Sequence, residues 1–452
     1  MLSSIPTAPK TLESYRSLIG DDATDEILAL AEPLRGARVI NINSTPFGGG
    51  VSEILNSFVP LMADVGLAVD WQVIRAGDDF FRVTKGMHNS LQGMLIDWKP
   101  QMWELWLQYN RANAEMFDED YDFVVVHDPQ PAAILSSLIE LRGRRPRGKW
   151  LWRCHIDLTD AQVQVWDMLR PHVSLYDAAI FTLRNYVKED LWGPIPFFVP
   201  PSIDPFSAKN ADIPPDTVDA ILRNHEIDPD RPLIVQVSRF DPWKDPLGVI
   251  DVYRMVKREI PDLQLVLVAS MAHDDPEGWA WYERTVRRAG EDMDIKVLTN
   301  LNGVGNVEVN ALQRAADVIV QKSVREGFGL SVTEGLWKAR PVVAGNVGGI
   351  PLQIIDGETG YLVNTAEECA GRVLHLLRNR EKADEMGHRG REVVRQQFLI
   401  TRNLRDYLRI FRALAAIGPL ARETVTAAAT ARNRPRPQGR PGEHEARRRL
   451  FD

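Results

Sequence analysis

Two cysteines in 452 residues, Cys154 and Cys369, are too few for a disulfide framework and imply a reducing compartment, so a cytoplasmic setting is expected. No apolar run reaches the roughly 18 residues of a membrane span. The first residues hold no uninterrupted apolar core of signal-peptide length either. A soluble chain without a membrane partner is expected. Positive charge is also in deficit: a net charge of −8 lacks the basic face of a nucleic-acid-binding body, so no nucleic-acid partner is expected. Phosphate ligands stay open, since they need only a local cation. No D-x-D and no His/Cys cluster offers a ligand set, so neither a metal nor a bound cofactor is expected. What remains is an ordinary globular composition on a chain too long for one core, which implies two or three domains.

The chain is best understood from Gln321 to Glu334, Q-K-S-V-R-E-G-F-G-L-S-V-T-E. An apolar run ending at Val320 predicts a buried strand before it, and Leu330 to Ala339 has helical composition. Gly327 and Gly329 between them allow a tight turn and close approach of a ligand. Strand, glycine turn and helix start together make an anion site, with free N–H groups and the positive helix end pointing outward. Glu326 and Glu334 bracket the turn eight residues apart, so both carboxylates can face one ligand. Phosphate beside hydroxyls describes a nucleotide sugar or a sugar phosphate.

Elsewhere strands alternate with helices, which predicts an α/β fold of two doubly wound parallel sheets in tandem. Helical pieces (12–18, 23–30) precede a first strand at 38–43, a glycine loop through Gly48, Gly49 and Gly50, and a helix at 51–65. The loop is not G-x-G-x-x-G and is no dinucleotide fingerprint; its backbone N–H groups instead suit a phosphate or sugar. Further strands are predicted at 68–74, 121–127, 149–154, 178–182 and 197–199. Residues 80–93, with Lys85, His88 and Asn89, predict a loop-helix element lining a cleft. Polar residues end three of these strands (Asn43/Ser44, His127/Asp128, His155/Asp157), and ligands gather at carboxyl ends. A second unit opens with the apolar strand 232–238. The predicted division is a first Rossmann-like domain over 1–202, a second over 203–390, a single helix over 391–416, and an Arg/Pro-rich tail over 417–452 too polar to build a core.

Ser238-Arg-Phe-Asp-Pro-Trp-Lys244 leaves the second unit's first strand at its carboxyl end. Arg239 and Lys244 beside the Gly327 and Gly329 amides can hold a diphosphate, arginine by a planar fork and lysine as a point charge.

E-G-F-G-L-S-V-T-E (with Phe328 and Leu330) together with Arg239 and Lys244 resembles the donor site of retaining glycosyltransferases of the two-Rossmann GT-B architecture. The resemblance implies that Glu326 meets the transferred sugar's hydroxyls, Glu334 the nucleotide ribose, Arg239 and Lys244 the phosphates, and that Val297 flanks the base. It also implies that the C-terminal helix crosses back to the first domain. N-S-T-P-F-G-G-G-V-S-E-I-L, F-F-R-V-T-K-G-M-H-N-S-L-Q-G, V-V-V-H-D-P-Q-P and W-R-C-H-I-D are similar to the trehalose-forming branch of that superfamily, which holds nucleoside-diphosphoglucose-dependent synthases and retaining phosphorylases. On this likeness His155 and Asp157 lie near the donor sugar, and Lys85, His88 and Asn89 help form the acceptor glucose site. The sequence leaves open a phosphorylase, with inorganic phosphate at Arg239 and Lys244, and a non-catalytic sugar-nucleotide binder. It also leaves open the donor's base, the direction of reaction and a homodimer.

Overall fold

Parallel strands account for almost all pairing in the structure, a computed structural model that describes residues 3–47, 49–117, 120–269, 271 and 276–417. Gly48 and the predicted tail beyond residue 417 lie outside the described residues. The first sheet holds β1 (Ser3–Ser4), β2 (Arg38–Asn43), β3 (Ala68–Val73), β4 (Phe123–His127), β5 (Lys149–Arg153), β6 (Ala178–Phe181) and β7 (Ile195–Phe198) in the order β1-β3-β2-β4-β5-β6-β7. Among the described residues only the two-residue β1 pairs antiparallel. The second holds β8 (Leu233–Val237), β9 (Gln264–Ala269), β10 (Ile295–Thr299), β11 (Val318–Gln321), β12 (Val342–Gly345) and β13 (Tyr361–Val363) in the order β10-β9-β8-β11-β12-β13. Each order reverses once, between β2 and β4 and between β8 and β11. In such sheets the crevice outside the strand ends at the reversal is where ligands bind.

The strand sequences explain the burial. F-V-V-V-H in β4 and Q-L-V-L-V-A in β9 are buried along their whole length, as continuous apolar runs must be when helices cover both faces. The first core adds Trp106, Trp150 and Trp152, all fully buried. Among the described residues no helix is long and apolar enough to cross a membrane.

Three sequence expectations need correction. Residues 80–93 are helix for most of their length: the helix runs from Asp78 to Leu91, leaving Gln92 and Gly93 in a turn, with Phe80, Thr84, Met87 and Leu91 inward, a 3.6-residue period masked by polar residues buried on the same face. Helices Pro215–Asn224 and Ala366–Arg378 were not anticipated, because short amphipathic stretches rich in charge resemble surface loops, and neither was β13, whose three residues are too few to show a period. The single helix over 391–416 is two, Arg380–Gln397 and Ile400–Ala416. The break has a cause: Phe398 and Leu399 are buried, the Phe398 carbonyl accepts the Ile203 N–H at 2.9 Å, and the Ile400 N–H donates to the Ile203 carbonyl at 2.9 Å. The inter-sheet segment thereby acts as a strand partner and interrupts the helix.

The last helix returns to the first sheet. Phe411 stacks on Phe123 of β4 at 4.4 Å, and Tyr407 meets Phe58 edge-on at 4.8 Å. Phe411→Ala should cost about 3–5 kcal/mol, the usual penalty for emptying a fully buried aromatic site. A denaturant midpoint lowered by much less would show that this helix does not tie the chain together.

Candidate active site

The carboxyl ends of β8 and β11, neighbours at the second reversal, carry the two stretches marked by the sequence. After β8 the chain passes Arg239 into a single turn, Pro242–Lys244. After β11 it passes Glu326 into the helix Leu330–Trp337, whose N-terminal residue Gly329 has φ 88°, a left-handed conformation side chains rarely adopt. Lys244 Nζ donates to Glu326 Oε2 at 2.5 Å, and Ser323 Oγ donates to the same oxygen at 3.1 Å. Arg239 pairs loosely with Asp241 at 3.5 Å and its side chain is 48% exposed, so it is open to a ligand.

Glu334 is buried one turn into its helix. Its Oε1 lies 3.3 Å from Lys209 Nζ, and its Oε2 accepts from Gln313 at 3.4 Å. Lys209 also donates to both oxygens of Glu53, at 2.9 and 3.0 Å, and Glu53 stands in the first turn of Gly50–Asp64 on the first sheet. Burial alone would lower the Lys209 pKa, but Glu334 and Glu53 outweigh it and hold the ammonium charged. The two glutamates of E-x₇-E are thus divided, each with its own lysine. Close by, a methyl group on Gly50 would come within 2.8 Å of Leu330 Cδ1, which brings the two glycine loops together.

The first sheet supplies the opposite wall from its own reversal. Asp128, just past β4, has φ 64° and accepts the His155 N–H at 2.8 Å. His127 Nδ1 lies 3.1 Å from His155 Nε2, and His127 Nε2 lies 3.2 Å from Asn41 Oδ1. The His155 carbonyl presses on Gly327, where a Cβ would sit 2.6 Å from that oxygen. Tyr186 Oη donates to the carbonyls of Glu326 and Gly327 at 3.2 and 3.0 Å, and Arg325 pairs with Asp160. Asp157 is buried and accepts from the Thr159 N–H at 2.9 Å and from its hydroxyl.

On the helix Asp78–Leu91, Lys85 Nζ lies 3.5 Å from Glu277 Oε2 and Asn89 Nδ2 donates to the same oxygen at 3.2 Å. Desolvation pushes His88 down to about 3, and Arg239, Lys85 and Lys244 push the same way, so its imidazole is neutral and sits in the field of the cations behind β8.

The structure therefore brings together Gly50, Lys85, His88, Asn89, His155, Arg239, Lys244, Glu326, Gly327, Gly329, Leu330 and Glu334, with Gly49 preceding the helix at Gly50 and Asp157 two residues past His155. It does not do so for two others. The Phe328 ring is buried in the second core, 5.6 Å from Phe398, so only its backbone is left for a ligand. Val297 packs against the cluster of Phe240, Ala269 and Met271. Lys209, Tyr186, Ser323 and Glu277 went unrecognised. Ser323 lies inside the Gln321–Glu334 stretch but at no position that marks it, the other three belong to no motif, and only the folded chain aims them at the crevice.

The histidines make stability fall in acid. Burial first, then Arg153, pushes His127 down to about 3, and the same causes with His127 added hold His155 well below its ordinary 6.5. Between these values the unfolded chain binds more protons than the folded one, so stability drops as pH falls. Asp128 runs the other way: burial raises it from 3.8 to about 6, so its contribution is lost as pH rises through 6. Two imidazoles outweigh one carboxyl. The melting temperature should decline steadily below about pH 6.5, and a flat melting profile down to pH 4 would contradict this burial.

Comparison with known proteins agrees with the geometry. Residues 41–188 match the family described as trehalose synthase, N-terminal domain, and residues 218–393 match glycosyl transferases group 1. The chain is 50% identical over 401 residues to trehalose synthase of Thermococcus litoralis, covering 88% of this chain and 96% of that one. It is 49% identical over 421 residues to trehalose synthase of Rubrobacter xylanophilus, covering 92% and 100%. Among solved structures, the trehalose-6-phosphate synthase OtsA superposes with a TM-score of 0.70 at 14% identity, over 85% of this chain and 100% of that one.

Two Rossmann-like sheets meeting at their reversals, with this structural likeness, make the fold GT-B, and its class a glycosyltransferase. Within that class the chain belongs to the trehalose synthase family.

Proposed function

We propose that this crevice moves the α-glucosyl group of a nucleoside diphosphoglucose onto the anomeric hydroxyl of glucose, forming trehalose with retention of configuration. The observation that carries the reading is the part-buried Lys244–Glu326 pair at the β8–β11 reversal, beside the half-exposed Arg239. Glycosyl transfer is limited by departure of the phosphate and growth of positive charge on the sugar. Lys244 and Arg239 supply fixed cations for the departing oxygens, and preorganised charge of this kind is worth most where water is excluded. Glu326, held by Lys244 and Ser323, keeps one oxygen for the sugar's hydroxyls. Glu334, held by Lys209, suits the ribose. No metal is needed for this stabilisation.

Double displacement needs a carboxylate free to attack the anomeric carbon. Glu326 and Glu334 are both engaged with lysines, and Asp157 is turned to Thr159. We therefore assign front-face transfer, in which the leaving phosphate takes the acceptor's proton while the new bond forms on the same face. His155 lines the donor sugar as a neutral imidazole, aligned through His127 and Asn41.

The reading is tested by incubating the purified protein with glucose and ADP-, UDP- or GDP-glucose and separating the products by chromatography. Trehalose and free nucleoside diphosphate in equal amounts are expected. Glucose 1-phosphate released from trehalose by inorganic phosphate, with no transfer from any nucleotide donor, would instead identify a phosphorylase.

A further inference from the structure

Glu277 crosses the crevice from the second sheet's side to the helix that carries the acceptor set. Lys85 and Asn89 are four residues apart, so their side chains share one face of that helix. Both converge on Glu277 Oε2, at 3.5 and 3.2 Å. Glu277 lies in the first turn of Pro276–Ala289, close to the positive helix end. The Lys85 and Glu277 side chains are each 27% exposed, open enough to meet a ligand and too sheltered for a freely solvated surface pair.

The result is a charge balance at the acceptor edge. The Lys85 ammonium faces the Glu277 carboxylate, Asn89 is uncharged, and His88 is held neutral in front of Arg239 and Lys244. Of those two cations, Lys244 is itself paired with Glu326 and Arg239 only loosely with Asp241. Such an edge suits a free hexose, which offers only hydroxyls. A hexose 6-phosphate brings a charge of about −1.5 to −2 at neutral pH. It would have to draw Lys85 from its partner and then lie against the Glu277 carboxylate. The scaffold alone does not decide between the two acceptors, because a solved protein named trehalose-6-phosphate synthase has the same fold.

We infer that Glu277 is a specificity-determining residue: by occupying Lys85 it confines the acceptor to unphosphorylated glucose and excludes hexose 6-phosphates. The inference rests on the transferase reading above and deepens it, since it names the group that selects the acceptor already proposed.

The test compares glucose with glucose 6-phosphate as acceptors, by kcat/KM with one nucleoside-diphosphoglucose donor, in the native protein and in Glu277→Gln. Glutamine keeps an oxygen for Asn89 and removes the charge. The native protein should use glucose alone. Glu277→Gln should raise the ratio of glucose 6-phosphate to glucose use by roughly 10- to 100-fold, the effect of removing one like-charge contact from a partly screened site. Lys85→Met gives a second arm that does not depend on how well the first variant folds: with Glu277 left unbalanced, glucose 6-phosphate should stay unused and should inhibit glucose transfer no more than in the native protein. An unchanged ratio in Glu277→Gln while glucose transfer persists would overturn this inference and leave the transferase standing. So would a native protein that uses both acceptors equally, or tighter glucose 6-phosphate inhibition in Lys85→Met. A native protein that transfers to neither acceptor from any donor would overturn the proposed function and this inference together.

Discussion

Replacing Lys244 by methionine should lower kcat/KM by about 10²- to 10³-fold, equivalent to about 3–4 kcal/mol of transition-state stabilisation. Methionine preserves most of the stem's packing, so the loss reports the charge. Two roles end at once. The cation is no longer at the departing phosphate, and Glu326 is left buried with only Ser323 as a partner. Because one bond serves both residues, Glu326→Gln and Lys244→Met should not add: the double variant should be little worse than the poorer single one. Additive losses would mean that the two side chains act separately. A Lys244→Met protein with near-native turnover would remove the phosphate assignment altogether. Steady-state kinetics well below each variant's melting temperature separates these outcomes from unfolding.

Gly327→Ala should be nearly as damaging, for a reason that involves no charge. The added methyl would lie 2.6 Å from the His155 carbonyl oxygen, a backbone atom fixed by β5 and by the Asp128 bond to the His155 N–H. Neither side can yield by rotating a side chain, so the loop that carries Glu326 must move away from the first sheet. Tyr186 would then lose its bonds to the Glu326 and Gly327 carbonyls. A displacement of about 1 Å between reacting groups can cost on the order of 10²-fold in rate. Turnover should fall by that order. The intrinsic stability of each sheet should change little, since no core side chain is touched. Native kcat/KM in Gly327→Ala would show that the crevice need not close on this contact.

How much of this was legible beforehand depends on whether the signal is local. Parallel strands announce themselves as unbroken apolar runs, and 232–238 and 318–320 could be placed from the letters alone. E-x₇-E with its glycines, and Arg239 with Lys244, each lie close in sequence; their places after strand ends and the resemblance to a GT-B donor site joined them in one expected crevice. Phe328 shows the limit of that reasoning: it sits inside the motif, yet its ring turns into the core against Phe398. The break at Phe398 and Leu399 could not be read, because the amphipathic pattern runs on through it and the interrupting partner, Ile203, is almost 200 residues away. Lys209 and Glu277 were invisible for the same reason. A single charged residue in a loop or at a helix start carries no periodic signal, and its role comes from partners on another element: Glu53 and Glu334 for the one, Lys85 and Asn89 for the other.

That positive groups at the second reversal part an activated glucose from its phosphate, on the face where the acceptor arrives, is tested most directly by carbon NMR during turnover. The donor carries ¹³C at its anomeric carbon and the acceptor is unlabelled glucose. The label should pass straight into an α-configured anomeric carbon of trehalose while nucleoside diphosphate accumulates. Label appearing in a β-linked disaccharide, or only in free glucose or glucose 1-phosphate, would contradict the account.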